Sequence, residues 1–238
     1  MMGSNIQHLA WDSHWLGFPV ARVVGEVLNA PACLPDIVAQ CQATGVRLLY
    51  LIFDPAQQPT AEAAQALGVQ LVDNKRTYSQ LIDGVGQPIT PVNTHLFQVD
   101  SITPALRSLA VQSGEYSRFR LDKRIGATAF EELYMQWLDR SLLQGQVWAV
   151  ATPSDTVGLL AYAGHEHYAS IELLAVDAGT RRRGIGQCLV QAAQQAAQQQ
   201  GYAQLQVATQ GANQPAWHLY ERCGFQLLRT ELIYHLWL

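Results

Sequence analysis

The sequence predicts an α/β protein in two parts, a smaller N-terminal α/β domain over residues 1–92 and a second domain over 93–238. Three observations predict it. Short apolar or β-branched runs alternate with segments of helical spacing along the chain. A Gly/Pro-dense stretch, Gly84-Val85-Gly86-Gln87-Pro88-Ile89-Thr90-Pro91, divides two such series and reads as a linker. In the second series an apolar run, Ile171 to Val176, enters an Arg/Gly loop that opens a long Ala/Gln helix.

Composition narrows the class. Hydrophobic residues make up 49% of the 238-residue chain and charged residues 14%, enough for a buried core. A net charge of -4 gives no global attraction to nucleic acid. No apolar run approaches the roughly 18 residues of a membrane span. The start, MMGSNIQHLAWDSHW, lacks the basic and apolar regions of a signal peptide, so a cytoplasmic protein is expected. Cys33, Cys41, Cys188 and Cys223 lack metal-ligand spacing, and no metal site is expected.

In the first domain Val20 to Val24 reads as a short strand. Pro35 to Thr44 has helical spacing and stops at Gly45. Val46 to Phe53, VRLLYLIF, reads as a buried strand. Thr60 to Leu67 reads as a capped helix, and Val69 to Val72 and Arg76 to Ile82 as two strands. The aromatic cluster Trp11, Asp12, Trp15 and Phe18 fits a docked N-terminal segment, or else a pocket lined for an acceptor.

In the second domain Leu96 to Val99 reads as a strand, and Ser101 to Gln112 and Glu131 to Leu143 as amphipathic helices. Val147 to Ala151, Val157 to Ala163 and Tyr168 to Val176 read as strands. The tract Gln187 to Gln200 reads as a helix with Leu189, Val190, Ala193, Ala196 and Ala197 on its apolar stripe. Ala203 to Thr209 is the next strand. A last helix runs from about Pro215 to Arg222, stops at Gly224, and a closing strand spans Phe225 to Leu238.

The loop after Val176 suits a pyrophosphate. The first N–H groups of a helix have no internal partner, and the helix dipole favours anions there. Gly184 and Gly186 let a phosphate approach the backbone, and Arg181, Arg182 and Arg183 add charge. Arg181-x-x-Gly184-x-Gly186 in a strand–loop–helix setting resembles the acetyl-CoA loop of the GNAT N-acetyltransferases. It lacks the Gly-Lys-Ser/Thr of a P-loop and the third glycine of a dinucleotide site. Asn213-Gln214-Pro215-Ala216-Trp217-His218-Leu219-Tyr220-Glu221-Arg222-Cys223-Gly224-Phe225 is similar to that family's closing motif, Asn-x-x-Ala-x-x-Leu-Tyr-x-x-x-Gly-Phe. The order of elements over about 140 residues agrees with the family's core.

The resemblance implies a GNAT fold, a mixed, mostly antiparallel sheet flanked by helices, with acetyl-CoA as co-substrate. It implies that Leu174, Ala175 and Val176 bind the acyl end through backbone N–H groups. Arg181 to Arg183, Gly184, Ile185, Gly186 and Gln187 would hold the pyrophosphate, with Asn213 and Ala216 near the coenzyme. It also implies Tyr220 as the general acid that protonates the leaving thiolate. Glu172, two residues from Leu174 and so expected on its strand face, is the residue offered as base, against an ordinary exposed glutamate. His165 and His167, in the preceding turn, are expected to be solvated loop residues.

WDSHWLGFPVARV near the start, YSRFRLD at 116–122, the helix around LYMQWL and LQVATQGAN at 205–213 are similar to the TDP-4-amino-4,6-dideoxygalactose (TDP-fucosamine) N-acetyltransferases. That resemblance implies a nucleotide-amino-sugar acceptor, a role in polysaccharide biosynthesis and a homodimer. Arg118 and Arg120 would take the acceptor's diphosphate, and Phe119 or Tyr116 would stack on its base or sugar. The triple arginine and Glu172 depart from that group. Two other readings stay open: a GNAT enzyme acting on a peptide, lysine or other small amine, and a non-catalytic CoA-binding sensor.

Overall fold

The computed structural model describes residues 6–23, 34–57, 66 and 68–238. The predicted helix at Thr60 to Leu67 lies almost wholly outside them. The chain forms two compact units, one of residues 1–75, 121–125 and 230–238, the other of 76–120 and 126–229.

In the first unit strand β1 (Ile6–His8) pairs antiparallel with β2 (Val20–Val23), and β2 pairs parallel with β3 (Leu48–Phe53). Between β1 and β2 lies helix α1 (Ala10–Leu16), which ends at Gly17 in the left-handed conformation, φ 74°. Helix α2 (Leu34–Ala43) is the crossover that two parallel strands require. The last strand, β10 (Gln226–Trp237), returns antiparallel to β3. Leu49, Leu51, Phe53, Ile37, Cys41 and Tyr234 make the core. The N-terminal aromatic cluster divides: Trp15 is buried, Trp11 is exposed, and Asp12 accepts from the Tyr50 hydroxyl at 2.9 Å.

Residues 121–125 are tied to this unit by Asp122. Its Oδ2 lies 2.7 Å from His235 Nδ1 and accepts from Trp237 Nε1 at 2.8 Å, and its Oδ1 accepts from Arg124 N–H at 3.0 Å. Burial works against ionisation of this carboxyl, but the hydrogen bonds from His235, Trp237 and Arg124, with the His235 charge, hold its pKa below the usual value.

The predicted pair of strands at 69–72 and 76–82 is one strand, β4 (Gln70–Leu81), which passes from the first unit into the second. Asp73-Asn74 reads locally as a turn. In the continuous strand Asp73 is buried and Lys75 pairs with Glu231 at 3.5 Å. The Gly/Pro stretch after it, residues 84–91, forms neither helix nor strand.

The second unit continues with β5 (His95–Gln98), helices α3 (Pro104–Ser113) and α4 (Ala127–Leu143), then β6 (Val147–Ala151), β7 (Thr156–Gly164) and β8 (Ala169–Val176). Helix α5 (Ile185–Gln199), β9 (Gln204–Gln210) and helix α6 (Gln214–Arg222) precede β10. The neighbours run β10-β4-β9-β8-β7-β6-β5. β5 to β8 pair antiparallel in succession, whereas β8 and β9, joined through α5, are parallel. The sheet is therefore mixed, as expected. Thr103 caps α3 by accepting from Leu106 N–H at 3.3 Å, and α4 starts a turn earlier than the apolar spacing suggests, after Gly126. The Ala/Gln tract is a helix whose buried side includes all five predicted stripe residues. They pack with Leu160, Tyr162, Ile171, Leu205, Val207, Tyr220 and Phe225 into this unit's core.

Candidate active site

The loop from Val176 to Ile185 is shaped by local bonds. Asp177 accepts from Gly179 N–H at 3.0 Å and closes a single 3-10 turn, Ala178–Thr180. Arg182 has φ 64° and Gly184 φ 84°, so the chain passes twice through left-handed backbone before α5 begins. Gly184 is the residue before α5, and no side chain caps that end. Its carbonyl accepts the first helical bond, from Cys188 N–H at 3.0 Å. The N–H groups of Ile185, Gly186 and Gln187 are thus the ones a helix leaves for an external anion.

Two glycines let the surroundings close on this helix end. A Cβ on Gly158 of β7 would lie 2.9 Å from Ile185 Cγ2, and one on Gly186 would lie 3.0 Å from Leu219 Cδ2 of α6. Arg182 and Arg183 are exposed at the loop. Arg181, exposed as well, turns back, and its Nε donates to the Val176 carbonyl at 3.1 Å.

β8 opens away from β9. The two pair at Ala169–Leu205, Ser170–Gln206 and Ile171–Val207, and no further. On the other edge the pairing with β7 runs to Val176–Gly158, with Asp177 N–H donating to Val157 at 2.9 Å. Along a strand, successive N–H groups face opposite neighbours. Since Asp177 N–H faces β7, those of Val176 and Leu174 face the opening. A substrate with amide groups of its own can pair there as a strand would.

The β7–β8 pairing carries a register shift. Ala161 faces Leu173 and Tyr162 faces Ile171, which leaves Glu172 as the extra residue of a β-bulge. The bulge overturns the expectation that Glu172 shares a face with Leu174. Ile171, Leu174 and Val176 all pack on the α5-side core, while Glu172 turns to Ser170. Ser170 Oγ donates to Glu172 Oε1, and His165 Nε2 lies 2.7 Å from Ser170 Oγ and 3.7 Å from Glu172 Oε1. His165 and His167 are exposed loop residues, as expected, and His165 in addition stacks on Tyr168 at 4.6 Å and reaches Ser170. No pattern in the sequence marks a bulge, which is why both relations escaped the sequence reading.

Tyr220 sits on α6, whose first turn is capped by Asn213: its Oδ1 accepts from Ala216 N–H at 3.3 Å. Pro215 fits the first helical turn. The Tyr220 ring is buried beside Tyr78 (6.3 Å between ring centres) and Phe225 (5.9 Å). Burial, followed by the nearby Cys223, pushes its phenol well above the ordinary value. A buried phenol that keeps its proton is suited to act as an acid.

The connector between α3 and α4 contains Tyr116 and a single helical turn, Arg118–Leu121. The Arg118 guanidinium lies over the Phe119 ring at 4.3 Å and that of Arg120 over Phe130 at 5.3 Å. A cavity of about 930 Å³ borders the loop before α5, lined by Asp177, Thr180 and Arg183, by α3 and by the β6–β7 turn. Among the described residues there is no cluster of three His, Cys, Asp or Glu placed for a metal, and no helix long and apolar enough to cross a membrane.

Comparison with known proteins agrees with this geometry. Residues 116–225 match the acetyltransferase (GNAT) family model. No curated protein sequence matches the chain. Among solved structures, a GCN5-related N-acetyltransferase from Sphaerobacter thermophilus is similar over 98% of this chain and 76% of its own, with a TM-score of 0.66 at 13% identity. Another GCN5-related N-acetyltransferase, from Kribbella flavida, is similar over 91% of this chain and 80% of its own, TM-score 0.58, 14% identity. The glucosamine N-acetyltransferase region of a fungal multi-domain β-N-acetylglucosaminidase is similar over 97% of this chain and 31% of that longer one, TM-score 0.57, 13% identity. Residues 116–225 thus match the GNAT acetyltransferase family and the chain shares its fold with these structures, which, with the helix start suited to an anion and the strand opening beside it, supports an acetyl-CoA-dependent acetyltransferase.

Proposed function

We propose that the chain moves an acetyl group from acetyl-CoA to the amine of a nucleotide-activated amino sugar, a TDP-4-amino-4,6-dideoxyhexose. The observation that carries this reading is the Tyr116–Asp122 connector. It sets two arginines two positions apart, each guanidinium over an aromatic ring. A guanidinium can make a forked, charge-assisted contact to a diphosphate. Phe119 and Tyr116 offer rings for the base or sugar. Resemblance of this stretch, and of three others, to the TDP-fucosamine acetyltransferases supports the same class. A glucosamine N-acetyltransferase region among the similar folds shows an amino sugar as acceptor in another protein.

In this reading the coenzyme's pyrophosphate lies on the Ile185–Gln187 N–H groups and the exposed arginines. Its pantetheine arm lies in the opening between β8 and β9, and the Val176 N–H receives the oxyanion. Glu172 takes the amine proton, directly or through water, and Tyr220 protonates the thiolate.

The test is a thiol-release assay with acetyl-CoA against TDP-4-amino-4,6-dideoxy sugars of both C4 configurations, a lysine peptide and an aminoglycoside. Turnover confined to the nucleotide sugars is expected, lost by roughly 10²-fold or more on Arg118→Ala/Arg120→Ala through KM. Turnover only on the peptide or aminoglycoside would discard the sugar assignment and leave the acetyl-transfer chemistry intact.

A further inference from the structure

We propose that Ser170 and His165 form a proton exit from Glu172 to solvent, so that these three residues act together as the base of the reaction. This rests on the reading of Glu172 as the proton acceptor. Glu172 is an inserted bulge residue, and the bulge turns its carboxylate toward Ser170. Its contacts with Ser170 Oγ and His165 Nε2 are both made through Oε1. Ser170 is buried, at 9% exposure, and joins Glu172 to His165, whose side chain is 40% exposed. The line runs from a half-buried carboxylate through a buried hydroxyl to a ring at the surface.

Such a line answers a definite need. Each turnover removes one proton from the amine while the thiolate takes its proton from Tyr220. With coenzyme and acceptor filling the site, bulk water is kept from Glu172, and the carboxylate must be emptied before the next cycle. The step balances as follows. The amine N–H bond breaks as nitrogen bonds to the acyl carbon, and the proton passes to Glu172. Protonated Glu172 then donates to Ser170 Oγ, whose hydrogen turns from Glu172 and passes to Nε2 of His165 in the tautomer that carries its hydrogen on Nδ1. Glu172 is again a carboxylate, Ser170 is unchanged, and His165 is an imidazolium that releases one proton to water. The flanking charges, Glu166 and His167, are exposed and 3.7 Å from each other, outside this line.

The experiment compares His165→Ala, Ser170→Ala and Glu172→Gln with the unaltered chain. Thiol release is followed on the fastest amine of the panel and, without any amine, on water as acceptor, so an unidentified acceptor leaves neither arm empty. Acetyl-CoA binding is measured by calorimetry as a check on folding. Expected is a fall in kcat of roughly tenfold or more for His165→Ala and Ser170→Ala, with acetyl-CoA affinity unchanged. Added imidazole should restore most of the rate to His165→Ala and none to Ser170→Ala, a result that a purely structural role would not give. Rates within twofold of the unaltered chain, or a loss in His165→Ala that imidazole leaves untouched, would overturn the relay. A Glu172→Gln variant with full activity would instead remove the base assignment itself.

Discussion

Tyr220 packs in the core and is also the proposed acid, and pH can separate the two roles. Its ring fills a core position, and burial raises its phenol pKa above the ordinary 10.0. The sign of the stability effect follows. Below about pH 10 the phenol is protonated in both folded and unfolded chains, and its contribution is fully present. Above that value the unfolded chain ionises first, so stability falls as pH rises. Tyr220→Phe cannot ionise in either state, and should flatten the fall in urea-unfolding stability measured between pH 8 and 11. Part of the slope should remain, because Tyr162 is raised in the same direction by burial and by Tyr202. At neutral pH the same variant should keep its fold and acetyl-CoA affinity but lose roughly 10²-fold in kcat. Unchanged kcat would leave Tyr220 a packing residue.

At the scale of elements, the start of α5, proposed to bind the pyrophosphate, depends on a residue outside it. Gly158 lies on β7, and an added Cβ would meet Ile185 Cγ2 at 2.9 Å, Leu189 Cδ1 at 3.1 Å and Val150 Cβ at 3.3 Å. Gly158→Ala must therefore push the first turn of α5 away from the strand, the turn whose N–H groups would face the anion. A cost of about 1–3 kcal/mol is expected in denaturant unfolding, together with weaker acetyl-CoA binding by calorimetry. Loss of stability with unchanged affinity would show that the helix end does not hold the coenzyme. The helix itself was readable from its Ala/Leu stripe, as were the strand before it and the Asn213 cap, because these rest on short-range patterns. What escaped the sequence depends on partners far along the chain. Nothing near Glu172 announces that β8 has one residue more than β7 can pair. Nothing near Asp73-Asn74 announces that the strand runs on through a turn-like dipeptide, with Asp73 buried and Lys75 paired to Glu231. Asp122 was read only as the end of an arginine-rich stretch, since its partners His235 and Trp237 lie more than a hundred positions away.

For the molecule as a whole, charge sets two opposed effects on coenzyme binding. The chain carries a net charge of -4, which repels an anionic coenzyme, while Arg182 and Arg183 at the loop attract it. Distance decides between them. The scattered acidic charges act mostly from beyond a Debye length, about 10 Å at 0.1 M salt, whereas a loop arginine acts at contact. The attraction should therefore prevail and itself be screened: raising NaCl from 50 to 500 mM should weaken acetyl-CoA binding by roughly three- to tenfold. Arg182→Gly combined with Arg183→Ser removes the two charges while suiting the left-handed backbone at residue 182, where φ is 64°. That variant should bind more weakly at low salt and show little salt dependence, or a slight tightening as the net repulsion is screened. If salt instead tightened binding to the unaltered chain, net charge would govern the encounter, and the loop arginines would have to act elsewhere, with Arg183 then serving the cavity it borders.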